Sequence, residues 1–369
     1  MSTIYKTIYL DAPSIGAAEK RYLSRAVDTG YVSSAGRFVF DFEEAFARYV
    51  GSRNAVATQS GTAALHMALH ELKIGRGDEV IVPALTFIAS INPVLYVGAR
   101  PVFADIDSRT WNIDPCRIER LINRRTKAIL PVHLYGNPCD MGAIMRIARK
   151  HGLAVIEDAT ESLGATYKGR QTGTFGDFGC FSFNGNKIIT TGGGGMVVSR
   201  DAGKAGHIKF LVNQAKDKAN SLYHPEMGFN YRMTNIEAAL GLAQLKKINR
   251  FLASKNRINS IYREKLGGIK TIRFQEECDG GRSSNWFTCV SFADGINIAR
   301  LQKKLMKHNI PTRRIFMPAT GFPPYRKYGK GDYSRSRGLY DRGLCLPSSV
   351  MNTKDDIYRV TTKLKELIA

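Results

Sequence analysis

Residues 55–83 read AVATQSGTAALHMALHELKIGRGDEVIVP, and their pattern decides the fold. Ala55-Val-Ala-Thr58 is an apolar run of strand length, closed off by polar residues. Gly61 to Leu69 follows as a helix, with Ser60 or Thr62 placed to cap its first turn. Glu79-Val-Ile-Val-Pro83 is again apolar on consecutive residues, as a strand is when both faces of its sheet are covered. Strand, helix and strand in quick succession are the unit of a mainly parallel α/β sheet.

The same rhythm continues outward. A helix is expected near Thr86, strands at Pro101–Ala104, Ala128–Val132 and Leu153–Ile156, and a helix at Met141–Lys150. From Met233 to Leu266 the pattern becomes one long helix, with Ile236, Ala239, Leu240, Ala243, Leu245, Ile248 and Phe251 at roughly helical spacing. A domain boundary is expected there, giving a large domain at 1–245 and a smaller α+β domain at 246–369. In the smaller part Trp286–Phe292 reads as a strand, and Ile298–His308 and Asp355–Ile368 as helices.

Composition narrows the class. The 369 residues are 43% hydrophobic and 23% charged, close to soluble globular averages. The amino terminus carries no apolar core of a leader and no run is long enough to span a bilayer, so a cytoplasmic protein without membrane association is expected. The six cysteines are scattered without CxxC spacing, which argues against zinc, a redox couple or a disulfide frame; no metal site is expected. Most of the net charge of +22 falls after residue 245, where 26 Lys and Arg face 10 Asp and Glu. No helix-turn-helix, zinc-finger or RNP-type pattern accompanies it, so a phosphorylated small substrate or a solvated basic face is favoured over nucleic acid.

Three stretches could carry chemistry. The strand Leu153-Ala-Val-Ile-Glu-Asp158 ends in carboxylates, at the end of a parallel strand where open α/β sheets bind ligands. Cys180-Phe-Ser-Phe-Asn-Gly-Asn-Lys187 places a lysine before the glycine run 192–195. Ser60-Gly61-Thr62 offers hydroxyls and a helix amino terminus to a phosphate. Each alone has an ordinary explanation: a solvated strand end, an exposed lysine, a plain N-cap. Together they supply the three contacts that pyridoxal 5′-phosphate (PLP) needs: a partner for its ring nitrogen, an amine for its aldehyde and a cradle for its phosphate.

The segments SGTAALHMAL, DEVIVPALTFIAS, PVFADID, VHLYG, IEDATESLGATYKGR, GTFGDFGCFSFNGNKIITTGGGGM and GFNYRMTNIEAALGLAQL resemble, in order and spacing, the DegT/DnrJ/EryC1/StrS family of sugar-nucleotide aminotransferases. The resemblance runs from about residue 8 to the end. It implies an aspartate-aminotransferase-like PLP fold of type I, a mainly parallel mixed sheet with a smaller α+β carboxy-terminal domain. It implies a homodimer with shared active sites. By position, Lys187 would hold PLP as a Schiff base and Asp158 would face the ring nitrogen. Phe87 would stack on the ring; Gly61, Thr62 and Ser182 would hold the phosphate, with Asn230 reaching it from the neighbouring subunit. Arg232 would contact the nucleotide sugar, and Arg313 in Pro311-Thr-Arg-Arg314 is placed to attract its diphosphate or to form part of a basic face.

The family's reaction takes nitrogen from L-glutamate, passes through pyridoxamine 5′-phosphate, and delivers it to a ketone of a nucleotide-linked sugar. Glu161 departs from the pattern, standing where many members have Gln near the cofactor's 3′ oxygen. With the GNKIITTGGGG, SSNWFT and GLCLPS segments it is most similar to the subgroup acting on UDP-4-keto-6-deoxy-N-acetylhexosamines, as in bacillosamine and legionaminic acid synthesis. GDP-perosamine synthases share FGNK- and NYRMTN-like segments, which makes GDP-4-keto-6-deoxymannose the alternative substrate. Sugar dehydratases of the same fold carry His at the lysine position, and Lys187 argues against that chemistry. A binding or regulatory protein that keeps the fold without turnover is the alternative of another class, disfavoured by an intact Lys187 and Asp158.

Overall fold

The computed structural model describes residues 7–220 and 222–368; residues 1–6, the start of the segment read for a leader, lie outside the described residues. Seven strands build the large sheet: β1 (Asn54–Thr58), β2 (Glu79–Pro83), β3 (Arg100–Ala104), β4 (Thr126–Ile129), β5 (Ala154–Asp158), β6 (Phe178–Ser182) and β7 (Gly195–Ser199). Their order is β1-β7-β6-β5-β4-β2-β3. The pairs from β6 to β3 are all parallel, whereas β7 runs antiparallel to both β6 and β1. The continuous apolar runs follow from this position: every residue of β2 is buried, because helices or loops cover both faces. Ser60 caps the helix Gly61–Glu71 by accepting from Ala63 N, as expected of that position.

Two expectations need correction. The helix expected near Thr86 is a 3₁₀ turn at Ile88–Ser90 followed by one α turn at Asn92–Tyr96. Phe87 is extended (φ −68°, ψ 139°), Pro93 fits only a first turn, and Gly98 at φ +78° ends the segment. The long helix is two, Asn235–Leu245 and Ile248–Leu266. Its break at Lys246 and Lys247 sends those side chains to Tyr22 and Glu19 of the helix Ala17–Asp28, while Leu245 and Ile248 on either side remain buried.

Beyond the break, Ile272–Phe274, Thr288–Phe292, Gly343–Leu346 and Arg313–Arg314 form a second sheet in that order, wholly antiparallel. Ile258, Ile261, Tyr262, Leu301, Leu305, Ile357, Val360 and Leu364 build its core, which the amino-terminal Ile8 joins. Ile248 and Phe251, at the start of the same long helix, pack instead into the core under the large sheet. No helix among the described residues is long and apolar enough to cross a membrane.

Candidate active site

The carboxyl ends of β5 and β6 and the amino end of the helix Gly61–Glu71 surround a cavity of about 360 Å³. Gly61, Thr62, Phe87, Asp158, Glu161, Ser182, Lys187 and Arg313 all line it, so eight of the ten residues singled out from sequence converge. Asn230 and Arg232 do not. Asn230 is exposed and bridges Asn213, and half-buried Arg232 bridges Thr58, outside the cavity of their own chain.

The local folding explains the convergence. Main-chain bonds from Asp158 N to Pro131 O (2.9 Å) and from His133 N to Asp158 O (3.1 Å) hold the end of β5. Among the described residues the buried Asp158 carboxylate then accepts from Thr160 N, at 3.0 Å. After β6, the turn closed by Lys187 N to Asn184 O (2.9 Å) brings the lysine back over the sheet end. The glycine run packs main chain on main chain: Gly194 N donates to Gln59 O (2.8 Å), and a Cβ at Gly195 would lie 2.4 Å from the Ser60 carbonyl carbon. Gly61 is equally confined, with Ser182 Cβ and Thr160 Cγ2 each 2.9 Å from where its Cβ would stand.

Aromatic residues make the other wall; sequence reasoning named Phe87 among them and missed Trp286 and Phe316. Lys187 Nζ sits 4.0 Å from the centre of the Trp286 ring, whose Nε1–H donates to Asn186 O at 2.7 Å. Phe87, 52% exposed, lies 5.6 Å from Phe316. Tyr135 is held in the left-handed region (φ 57°, ψ 21°), a conformation costly for a bulky residue and found where surroundings over-determine it. That strain aims its N–H at Glu161 Oε2 (2.8 Å), stacks its ring on Phe316 (5.1 Å) and lets its hydroxyl accept from Phe316 N (2.9 Å). Within a strand or loop such aromatics carry no mark separating a cavity wall from ordinary core.

Burial dominates the electrostatics here. It pushes the Lys187 amine below its ordinary value, against the pull of Glu161 and Asp158. It pushes the Glu161 carboxyl up, aided by Asp158 and opposed by Lys187, the Tyr135 N–H and Arg313. Arg313 lies against Trp286, Phe287 and Phe316, and its buried Nε and Nη2 have no hydrogen-bond partner among the described residues, leaving donors for an anion. Among the described residues no His, Cys, Asp and Glu group suits a metal ion.

These residues fit PLP: an amine, a carboxylate at the sheet end, first-turn N–H groups beside Gly61 and Thr62, and the aromatic rings of Phe87 and Trp286 in the cavity lining. A sheet that presents an acid opposite a lysine of lowered basicity is the arrangement of a PLP-dependent transaminase of fold type I. The sequence matches the DegT/DnrJ/EryC1/StrS aminotransferase family over residues 13–365, and the chain belongs to that family. It is 44% identical to a GDP-perosamine synthase of Caulobacter vibrioides over 364 residues, covering 98% of each chain. A GDP-perosamine synthase of Escherichia coli is 38% identical, again over 98% of each chain. The fold superimposes on a putative sugar aminotransferase of Streptococcus pneumoniae in its PLP form with a TM-score of 0.92, at 25% identity and 98% coverage of each.

Proposed function

We propose that the chain transfers the amino group of L-glutamate to the C4 ketone of GDP-4-keto-6-deoxymannose. The observation carrying this reading is the near full-length similarity to two enzymes named GDP-perosamine synthase, at 44% and 38% identity. It replaces the UDP-linked N-acetylhexosamine expectation, which rested on Glu161 and on the GNKIITTGGGG, SSNWFT and GLCLPS segments.

Bound in the cavity, PLP supplies an aldehyde that carries nitrogen and a ring that accepts electrons. The protein does the rest. Lys187 anchors the cofactor and, once freed, moves a proton on and off the reacting carbon; the burial that lowers its pKa leaves more of the amine neutral at physiological pH. Asp158 holds a proton on the ring nitrogen, which deepens the electron sink. Gly61, Thr62 and Ser182 hold the phosphate, Phe87 and Trp286 flank the ring, and Arg313 offers its unpartnered donors to an acidic group of donor or acceptor. Asn230 and Arg232 point this reading towards a dimer, each chain completing the other's site. The exposed Tyr223 and Met227 in the preceding segment support an interface there.

Incubation of the purified protein with L-glutamate and a panel of GDP- and UDP-linked 4-keto-6-deoxy sugars tests the assignment. Mass spectrometry should find an aminated GDP sugar and matching 2-oxoglutarate. Amination of UDP sugars alone would overturn the nucleotide assignment, and no amination of any sugar would overturn the reaction.

A further inference from the structure

The amino-terminal segment is tied down at three points along residues 10–14. Leu10 O accepts from Ser348 N (2.7 Å) and Ala12 O from Ser349 Oγ (3.0 Å); Ser14 O accepts from Gln244 Nε2 (3.0 Å) of the helix Asn235–Leu245. Between these ties the Asp11 side chain turns in, 7% exposed, and meets Lys255 Nζ at 2.7 Å. The Lys255 ammonium, 1% exposed, also donates to the Trp286 carbonyl at 2.9 Å. Trp286 is thereby gripped at both ends, its carbonyl by Lys255 and its indole N–H by Asn186 O, with Lys187 Nζ over its ring. A buried Lys–Asp pair is a poor way to close a wall, because an apolar pair of similar size would be as stable or more so. What the pair adds is direction: it fixes where one carbonyl, and hence one indole, must stand.

We propose that Asp11 and Lys255 are positioning residues for the reactive amine, fixing the main chain at Trp286 and through it the indole that keeps Lys187 dry. Neither lines the cavity, so they act through Trp286 and not on substrate. The inference rests on the reading of Lys187 as the reactive amine. The indole has two opposed effects: its face favours the charged ammonium, and its bulk excludes water, which disfavours it. Burial is the larger influence on Lys187, so loosening the wall should return the amine towards ordinary basicity.

The test uses cofactor-free full-length protein and isotope-coded acetic anhydride, which acylates only the neutral amine. The Lys187 peptide is quantified by mass spectrometry from neutral to alkaline pH. Lys255→Met should slow Lys187 labelling near neutrality about threefold or more, the change that half a pKa unit produces. In a Trp111→Phe background, where Trp286 is the remaining tryptophan, it should also shift the emission to the red. In a Trp286→Phe background the Lys255→Met effect on labelling should vanish, which a general loss of stability would not produce. Asp11→Asn, which keeps the shape, also removes a direct pull of Asp11 on the Lys187 proton, so it serves through the red shift of emission if Lys255→Met does not fold. Unchanged labelling and emission, or an effect that persists undiminished in Trp286→Phe, overturns the positioning role. Wild-type Lys187 labelling like a solvent lysine would instead overturn the reading of Lys187 itself.

Discussion

Glu157 and Asp158 are neighbours on β5 and leave opposite faces of the strand, so replacing each by its amide should separate stability from chemistry. Glu157 is fully buried. Its Oε1 accepts from Phe175 N (2.6 Å) and Gly176 N (2.8 Å); its Oε2 accepts from Gly173 N (2.8 Å) and His133 Nε2 (3.0 Å). His133 Nδ1 accepts from Cys139 N at 3.0 Å, so the ring donates from Nε2 and cannot switch roles without losing that bond. In Glu157→Gln, whichever oxygen becomes the amide nitrogen, two donors face a donor. Hydrogen bonds to a charged acceptor contribute about 1.5–3 kcal/mol each, so the variant should lose about 3–6 kcal/mol. Asp158→Asn keeps the acceptor for Thr160 N and should cost under about 1 kcal/mol, while slowing turnover by about two orders of magnitude or more. Urea denaturation of the cofactor-free proteins and single-turnover reaction with glutamate measure the two effects. A Glu157→Gln protein as stable as wild type, or an Asp158→Asn protein of near-normal turnover, would refute the division of labour.

Lys187→Ala should bind PLP without the visible absorption band of the wild-type complex and should lack transamination; an unchanged band would mean that a different amine holds the aldehyde. Gly61→Ala brings a methyl within 2.9 Å of Ser182 and Thr160, roughly 0.6–1.1 Å inside normal contact, and such overpacking costs about 1–3 kcal/mol. PLP titration should show affinity weakened about tenfold, and an unaltered dissociation constant would mean the cradle lies elsewhere. Glu161→Gln should stabilise the protein in a pH-dependent way. The folded-state carboxyl is raised, so its contribution is fullest below the unfolded value of about 4.3 and is lost as pH climbs through the folded value. The glutamine carries no such loss, and thermal melts should show its advantage growing over that window and constant above it; parallel melting curves would contradict the shift.

The rhythm of strands and helices was legible because burial on both faces leaves an unmistakable apolar run, as at Glu79–Pro83. Strand direction was not, since Gly195–Ser199 reads the same whichever way β7 runs. The break at Lys246 was hidden because apolar residues keep roughly helical spacing across it. Lys187, Asp158 and the Gly61 turn were legible as strand ends and turns bearing chemistry. Trp286 and Phe316 were not, because an aromatic facing a cavity looks in sequence like one facing the core. The Asp11–Lys255 pair, separated by 244 positions, leaves no local trace at all.

Lys187 and Glu161 are displaced towards neutrality by the same burial, and each is the other's leading electrostatic influence. An ionised Glu161 draws a proton onto Lys187 and works against the free base that proton transfer requires. A protonated Glu161 removes that pull, so the carboxyl at this position adds a titration to the site. As pH rises through the Glu161 value, the carboxylate should hold Lys187 protonated longer than a glutamine would. Glu161→Gln should therefore lower the pH at which Lys187 acylates and shift the rising limb of the pH–rate profile down with it. If the variant left both limbs in place, the two groups would be uncoupled and Glu161 would have no part in setting the basicity of the amine.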